Sequence, residues 1–147
     1  MFHRLLAGAA LGALLTACTT TPQEGAISTA AVTIPQATGV FAQPSSLPFQ
    51  TVDFASIKDS DYVPAFEQAT AIQRAEIAAI VANPEEPNFE NTIVALERSG
   101  RMLGRVLTAF STVSGAHTND TLDAIEAEMS PKLTAHFDAI SLDPELF

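Results

Sequence analysis

Large apolar residues recur every three or four positions from Ile57 onwards, in three stretches separated by polar or proline-containing segments. The third stretch is the most regular, with spacings of 3, 4, 4, 4 and 3 between Leu122, Ile125, Met129, Leu133, Phe137 and Ile140. A repeat near 3.6 residues places such side chains on one face of an α-helix. The spacing therefore predicts an all-α fold with helices over about 60–82, 89–115 and 120–141.

Residues that begin or end helices stand at the borders of these stretches. Carboxylates at residues 59–61 are placed to begin the first helix, and Asn88 and Asn119 are suited to cap the second and third. Asn83 precedes Pro84, and a residue before proline disfavours the helical conformation. The first helix is therefore predicted to end there.

Two glycines and one proline lie inside the predicted helices. Gly100 and Gly104 each cost about 1 kcal/mol relative to alanine in a helix. We interpret them as signs of either a close helix–helix approach or a bend. Pro131 lies in the third predicted helix, where its missing N–H predicts a kink near Ala127.

The N-terminus has the pattern of an export signal. Residues 1–4 include one Arg and one His, and residues 5–15 are an uninterrupted run of apolar and small side chains. Eleven helical residues rise about 16 Å, roughly half of a hydrocarbon core, so this run is too short to span a bilayer. The segment predicts the apolar region of a secretory signal peptide.

The signal is followed directly by Leu15-Thr16-Ala17-Cys18, which resembles the lipobox of bacterial lipoproteins. The resemblance implies that Cys18 becomes the lipidated mature N-terminus. Because Thr19 is not Asp, it also implies an exported protein that is anchored in the outer membrane and faces the periplasm. An ordinary signal in which Cys18 is one more small residue, and a helix buried in a soluble core, are the alternatives.

The next segment has the composition of a tether. Residues 19–51 carry one charged side chain, Glu24, and four prolines among Thr, Ser, Ala and Gln. We predict a disordered tether over 19–51, whose last residues lead into an extended arm on the following domain. The predicted organisation is thus a signal peptide over 1–18, the tether over 19–51 and a helical domain over 52–147.

Composition excludes several classes of protein and of site. A formal charge of −10 gives no electrostatic basis for nucleic-acid binding, and a single Cys excludes a cysteine zinc finger. His3 lies in the signal, His117 in a predicted loop and His136 on the predicted surface of the third helix. No His-Glu-x-x-His or Gly-x-Ser-x-Gly motif occurs. Glu126 and Glu128 are two residues apart and do not share a helix face, so no catalytic or metal-binding residue is predicted.

Three arginines, Arg98, Arg101 and Arg105, recur along one face of the second predicted helix. Glu97 precedes Arg101 by four residues, which favours an ion pair on a helix. A solvated, salt-bridged face is one interpretation, and a contact with another domain or a peptide carboxylate is the other.

Residues 88–100 read Asn-Phe-Glu-Asn-Thr-Ile-Val-Ala-Leu-Glu-Arg-Ser-Gly. Together with Ile-Lys-Asp-Ser-Asp-Tyr-Val-Pro-Ala-Phe at 57–66 and Met-Ser-Pro-Lys-Leu-Thr-Ala-His at 129–136, this block resembles the N-terminal region of the thimet oligopeptidase-like zinc metallopeptidases. The bacterial peptidyl-dipeptidase (dipeptidyl carboxypeptidase) type is the most similar, followed by oligopeptidase A. The resemblance covers about residues 47–147.

This resemblance implies a helical region in the wall of a channel that admits short peptides, within a much larger enzyme. The family's single zinc ion is bound by His-Glu-x-x-His and a distant Glu, and no position of this chain matches either. We therefore expect no cofactor in this chain and no activity from it alone. Residues 142–147 begin with a helix-start signal, Leu-Asp-Pro-Glu, from which we expect that the chain is truncated.

Two other functions remain open. One is a stand-alone helical periplasmic lipoprotein that binds a peptide or a protein partner. The other is an accessory subunit that a separately encoded catalytic half completes.

The lipobox leads to a direct test. Cys18→Ala removes the thiol that would carry the lipid, so the protein should lose incorporation of labelled fatty acid and move from the membrane to the soluble fraction. Thr19→Ala is the matched control and should keep both properties. Continued labelling of the Cys18→Ala protein would contradict the prediction.

Overall fold

The computed structural model describes residues 32–147, and within that range it contains helices and no strand. Its four α-helices are α1 (Tyr62–Val81), α2 (Ala95–Arg98), α3 (Arg101–Ala116) and α4 (Asp120–Ser141). A π-helical turn, Phe89–Val94, leads directly into α2, and short 3₁₀ turns lie at Pro48–Gln50, Phe54–Ser56 and Asp59–Asp61. The predicted all-α class is confirmed.

The longest helices pack around α1. At the start of α1, Tyr62 and Phe66 contact Phe110 from the second half of α3, with ring centroids 5.1 and 5.5 Å apart, so α3 runs antiparallel to α1. Two further contacts, Glu67 to Lys132 and later Gln73 to His136, show that α4 runs parallel to α1. This arrangement brings the C-terminal ends of α1 and α4 to the same end of the molecule as α2.

The apolar faces of these helices form one core. Tyr62, Phe66, Leu103, Val106 and Leu122 are its largest fully buried side chains. Burial of each large apolar side chain contributes about 1.5–3 kcal/mol. The edge-to-face rings of Tyr62 and Phe110 add a preferred aromatic geometry to this packing.

The two predicted asparagine caps are confirmed, whereas the Asp61 side chain makes no capping hydrogen bond to α1. Asn88 Oδ1 accepts hydrogen bonds from the backbone N–H groups of Glu90 and Asn91, both at 2.9 Å. Asn119 Oδ1 accepts from the N–H of Leu122 at 2.9 Å, at the beginning of α4. Each bond satisfies a donor that the first turn of a helix leaves free.

The second predicted helix, 89–115, is interrupted at Ser99 and Gly100. Ser99 has an extended backbone (φ −70°, ψ 157°), and Gly100 has the left-handed φ of 66° that glycine adopts at little cost. A Cβ on Gly100 would overlap the side-chain amide of Gln73 from α1. Both interpretations of this glycine, a bend and a close approach, are therefore correct, and together they divide the predicted helix into α2 and α3.

The N-terminal arm packs earlier in the chain than predicted. Phe41 is only 5% exposed and lies against Tyr62, and Thr38 exchanges two hydrogen bonds with the Gln68 side chain. The predicted tether over 19–51 is therefore too long, because at least residues 38–42 belong to the packed structure. The signal peptide over 1–18 and residues 19–31 lie outside the described range. Within 32–147, no helix combines the length and apolar character needed to cross a membrane.

Substitution of the two glycines by alanine should change the free energy of unfolding in opposite directions. Gly100→Ala should lower the free energy of unfolding by about 1–3 kcal/mol, because alanine disfavours the positive φ at this position and its Cβ would displace the Gln73 side chain. Gly104→Ala lies in α3 with no heavy atom within 4 Å of the added Cβ, so it should raise stability by up to about 1 kcal/mol. Urea unfolding of both variants measures the difference, and equal effects would contradict the assignment of the break.

Candidate functional site

The structure separates the residues that the sequence singled out for chemistry. His117 is exposed where α3 ends, and Glu126 and Glu128 are exposed on α4. His136 is 4% exposed, so the expectation of a surface histidine is wrong. Cys18 and His3 lie outside the described residues.

No group of three or more His, Cys, Asp or Glu side chains within residues 32–147 is arranged to hold a metal ion. His117 lies in the loop between α3 and α4 and is exposed, whereas His136 lies in the last part of α4 and is buried. The residues of the described range therefore do not fit a zinc site.

A set of partly buried hydrogen bonds connects α1 with α4 and with the break before α3. His136 Nε2 lies 2.8 Å from Gln73 Oε1, and Gln73 Nε2 lies 3.4 Å from Ser99 Oγ. Glu76 Oε2 accepts a 2.7 Å bond from the backbone N–H of Gly100. We call these five residues, Gln73, Glu76, Ser99, Gly100 and His136, the polar junction.

Local structure positions each member of the polar junction. Gln73 and Glu76 are three residues apart on α1, so their side chains emerge on the same face. Gly100 lies at the start of α3, where the helix dipole and the free N–H favour the Glu76 carboxylate. Ser99 donates its hydroxyl proton to the carbonyl of Leu96 at 2.8 Å, which ends α2.

The surroundings of His136 favour its neutral form. Since the amide oxygen of Gln73 can only accept, Nε2 carries the proton, and Nδ1 is buried without a hydrogen-bond partner among residues 32–147. Burial lowers the pKa of His136 below its usual range, and the positive charge of Arg74 lowers this pKa further.

The polar junction is not arranged for nucleophilic catalysis. Gln73 lies between Ser99 and His136, and an amide does not act as a general base for a serine. The Ser99 hydroxyl is directed to a backbone carbonyl instead. The polar junction therefore has a structural role: it fixes α1, α4 and the break at Ser99 and Gly100 relative to one another.

Arg105 fixes the N-terminal arm to α3. Its Nε and Nη2 atoms donate to the backbone oxygens of Phe41 and Ala42 at 2.9 and 2.8 Å. Burial lowers the pKa of Arg105, and the neighbouring charge of Arg101 adds to this effect. Arg105 thus binds the N-terminal arm of the same chain. The sequence had suggested either a solvated, salt-bridged face or a contact with another domain or a peptide carboxylate.

The other two arginines of this face, Arg98 and Arg101, are exposed. The suggested Glu97–Arg101 ion pair is absent from residues 32–147, where the ion pairs are those of Lys132 with Glu67 and Glu128. The break at Gly100 lies between Glu97 and Arg101, so the two residues no longer share one continuous helix.

A cavity of about 290 Å³ lies between the arm and Arg105. Residues 39–46 and parts of 50–57 line it, and Arg105 contributes the guanidinium group. Two of the guanidinium nitrogens already bond to the arm. The cavity is therefore a product of how the arm folds over α3.

The roles of Gln73, Glu76 and Ser99 were not predicted from the sequence. The available signal was Gln73 itself, a polar residue four positions from both Ala69 and Ile77, which are buried on the same face of α1. A polar side chain at such a position needs a buried partner, and here the partner is His136.

The buried histidine leads to a pH test. In the unfolded chain His136 titrates near pH 6.5, and in the folded chain its pKa is lower. Between the two values the unfolded state binds more protons, so the free energy of unfolding should fall as the pH drops below about 6.5. His136→Gln should reduce this slope, whereas His117→Gln should retain it, as measured by urea midpoints at pH 7.5 and 5. Equal slopes in the wild-type and His136→Gln proteins would contradict the prediction.

Comparison with known proteins adds a relationship that the geometry alone does not give. No family model matches the chain. It is 43% identical over 107 residues to dipeptidyl carboxypeptidase of Escherichia coli, and 44% identical over 103 residues to dipeptidyl carboxypeptidase of Salmonella typhimurium. These matches cover 73% and 70% of this chain.

The same matches cover 16% and 15% of the two relatives, so the chain spans about a sixth of the length of the curated proteins it matches. Identity at this level, over most of the chain, supports a relationship to a peptidase family. The fold and the identity together describe a helical segment that is related to part of a dipeptidyl carboxypeptidase.

Proposed function

We propose that this chain is a channel-wall region of an exported zinc metallopeptidase of the peptidyl-dipeptidase type, which cleaves short peptides. The observation that carries the proposal is the identity of 43–44% with two dipeptidyl carboxypeptidases over more than 100 residues. Catalysis is assigned to the part of such an enzyme that this chain does not match. The chain alone is proposed to be inactive, and no catalytic step is derived from its residues.

The described structure supports a wall rather than a moving part. The polar junction connects α1 with α4 and with the break before α3, and Arg105 connects α3 with the arm. Glu67 and Lys132 add a surface contact between α1 and α4 at 3.7 Å. Helices connected at several points resist separation, which is the property that a size-limiting wall requires.

Export and anchoring are part of the proposal. They are supported by the apolar run over 5–15 and by the Leu-Thr-Ala-Cys sequence that follows it. Lipid on Cys18 would hold the protein at the outer membrane, facing the periplasm. Each acyl CH₂ group buried in the bilayer contributes about 0.8 kcal/mol to the free energy of membrane binding. Short peptides are the proposed substrates of the complete enzyme.

A chimera tests this function. The aligned region of the Escherichia coli relative is replaced by the aligned residues of this chain, and release of C-terminal dipeptides from a short peptide is measured. Because the region is proposed to have the same role in both proteins, we expect the chimera to retain activity within about tenfold, a loss of no more than about 1.4 kcal/mol in transition-state stabilisation.

Two controls complete the experiment. The relative without its aligned region should lose activity, and residues 19–147 of this chain alone should release no dipeptide. A folded but inactive chimera would contradict the proposed role. Chelator-sensitive dipeptide release by the chain alone would contradict its proposed inactivity.

A further inference from the structure

One end of the molecule has a different surface from the rest. We call it the far end and define it as residues 82–97 and 137–147, which adjoin the C-terminal ends of α1 and α4. A small cavity of about 90 Å³ joins its two segments, with Asn91 and Thr92 on one side and Glu145 and Leu146 on the other. Leu146 is buried there, so the two segments form one surface.

The far end leaves apolar side chains uncovered. Phe89 is 68% exposed and Leu142 is 78% exposed, and Ile93 and Phe137 are each more than 40% exposed. Phe137 continues the apolar stripe of α4, whose inner members Leu122 and Met129 are buried, whereas Phe89 and Ile93 lie in the π-helical turn before the break. The apolar stripe of α4 therefore extends beyond the side chains that this chain itself buries. Exposed apolar surface of this kind marks interaction sites.

Every charged side chain within the two segments of the far end is acidic, and the exposed Arg98, the last residue of α2, directly follows the first segment. The carboxylates of the far end are Glu85, Glu86, Glu90, Glu97, Asp138, Asp143 and Glu145, and neither segment contains a Lys, an Arg or a His. A second copy of the chain would place these carboxylates against themselves in a two-fold contact, which like-charge repulsion opposes. The surface instead fits a partner whose apolar face is bordered by Lys and Arg.

We propose that the far end is a docking surface for the polypeptide that completes the peptidase. Its occupant is the part of a dipeptidyl carboxypeptidase that lies outside the region matched by this chain, and it presents an apolar face with a basic border. The proposal rests on the proposed function. It is supported by the coverage of only 15–16% of the relatives, which leaves most of such an enzyme to supply the covering surface.

The test compares the same substitutions in two settings. Phe89→Ser and Leu142→Ser are introduced into residues 19–147 of this chain and into the chimera with the Escherichia coli relative. Phe49→Ser is the matched control, because Phe49 is fully exposed but lies in the N-terminal arm. Thermal unfolding is measured for all proteins, and sedimentation for those based on the chain alone.

Each far-end substitution should leave the Tm of the chain alone within about 1 °C and lower that of the chimera by about 2–4 °C. The reason is that the side chains are solvent-exposed in the chain and covered in the chimera. Phe49→Ser should change neither. Glu85→Lys should also lower the chimera's Tm, whereas Glu126→Lys, on exposed α4 surface outside the far end, should not.

Several outcomes would overturn the docking proposal. An active chimera in which the far-end variants behave like Phe49→Ser would leave the proposed function intact and reject the surface. Dimers of the chain that Phe89→Ser dissociates would identify a second copy as the occupant. A folded, inactive chimera that shows the expected Tm differences would support the surface and reject the function. A chimera that does not fold would count against both.

Discussion

The hydrogen bond from the Gly100 N–H to the Glu76 carboxylate fixes the break between α2 and α3 against α1. It lies at the point where the chain changes direction between α2 and α3, and it attaches that point to the C-terminal half of α1. A charged acceptor makes such a bond stronger than one between neutral groups. Because Gln73 lies one turn earlier on α1 and reaches both Ser99 and His136, the same helix face also sets the position of α4.

Local features of this fold were predictable, because they depend on residues close together in sequence. Asn88 and Asn119 cap their helices through bonds to N–H groups two or three positions away. The start of α1 after the carboxylates of Asp59–Asp61 and its end before Pro84 follow from equally short-range effects. The apolar stripes, read with a period of 3.6, identify most of the core for the same reason.

The remaining features depend on residues distant in sequence. Leu133 is followed at three positions by His136 and at four by Phe137, and both spacings fit a helix face. Gln73 on α1 decides that His136 is the buried one, while Phe137 remains substantially exposed. Phe41 belongs to no periodic pattern, so only its contact with Tyr62 and the bonds from Arg105 reveal that the arm is packed. Glycine at position 100 predicted a bend or a close helix–helix approach, but the sequence did not identify Gln73 on α1 as the partner in that approach.

The two ends of α1 differ in how completely other side chains of this protein pack around them. This difference affects both local stability and the proposed docking of a partner. At the start of α1, Tyr62 is enclosed by Phe41, Phe110 and the neighbouring core. At the other end of α1 no such enclosure is found among the described residues: a small cavity lies there, and Phe89 and Leu142 are exposed. Regions with few buried apolar contacts open locally at lower cost than a packed core. Opening should therefore begin at the far end, and a partner that covers it would stabilise the part of the chain that its own core protects least.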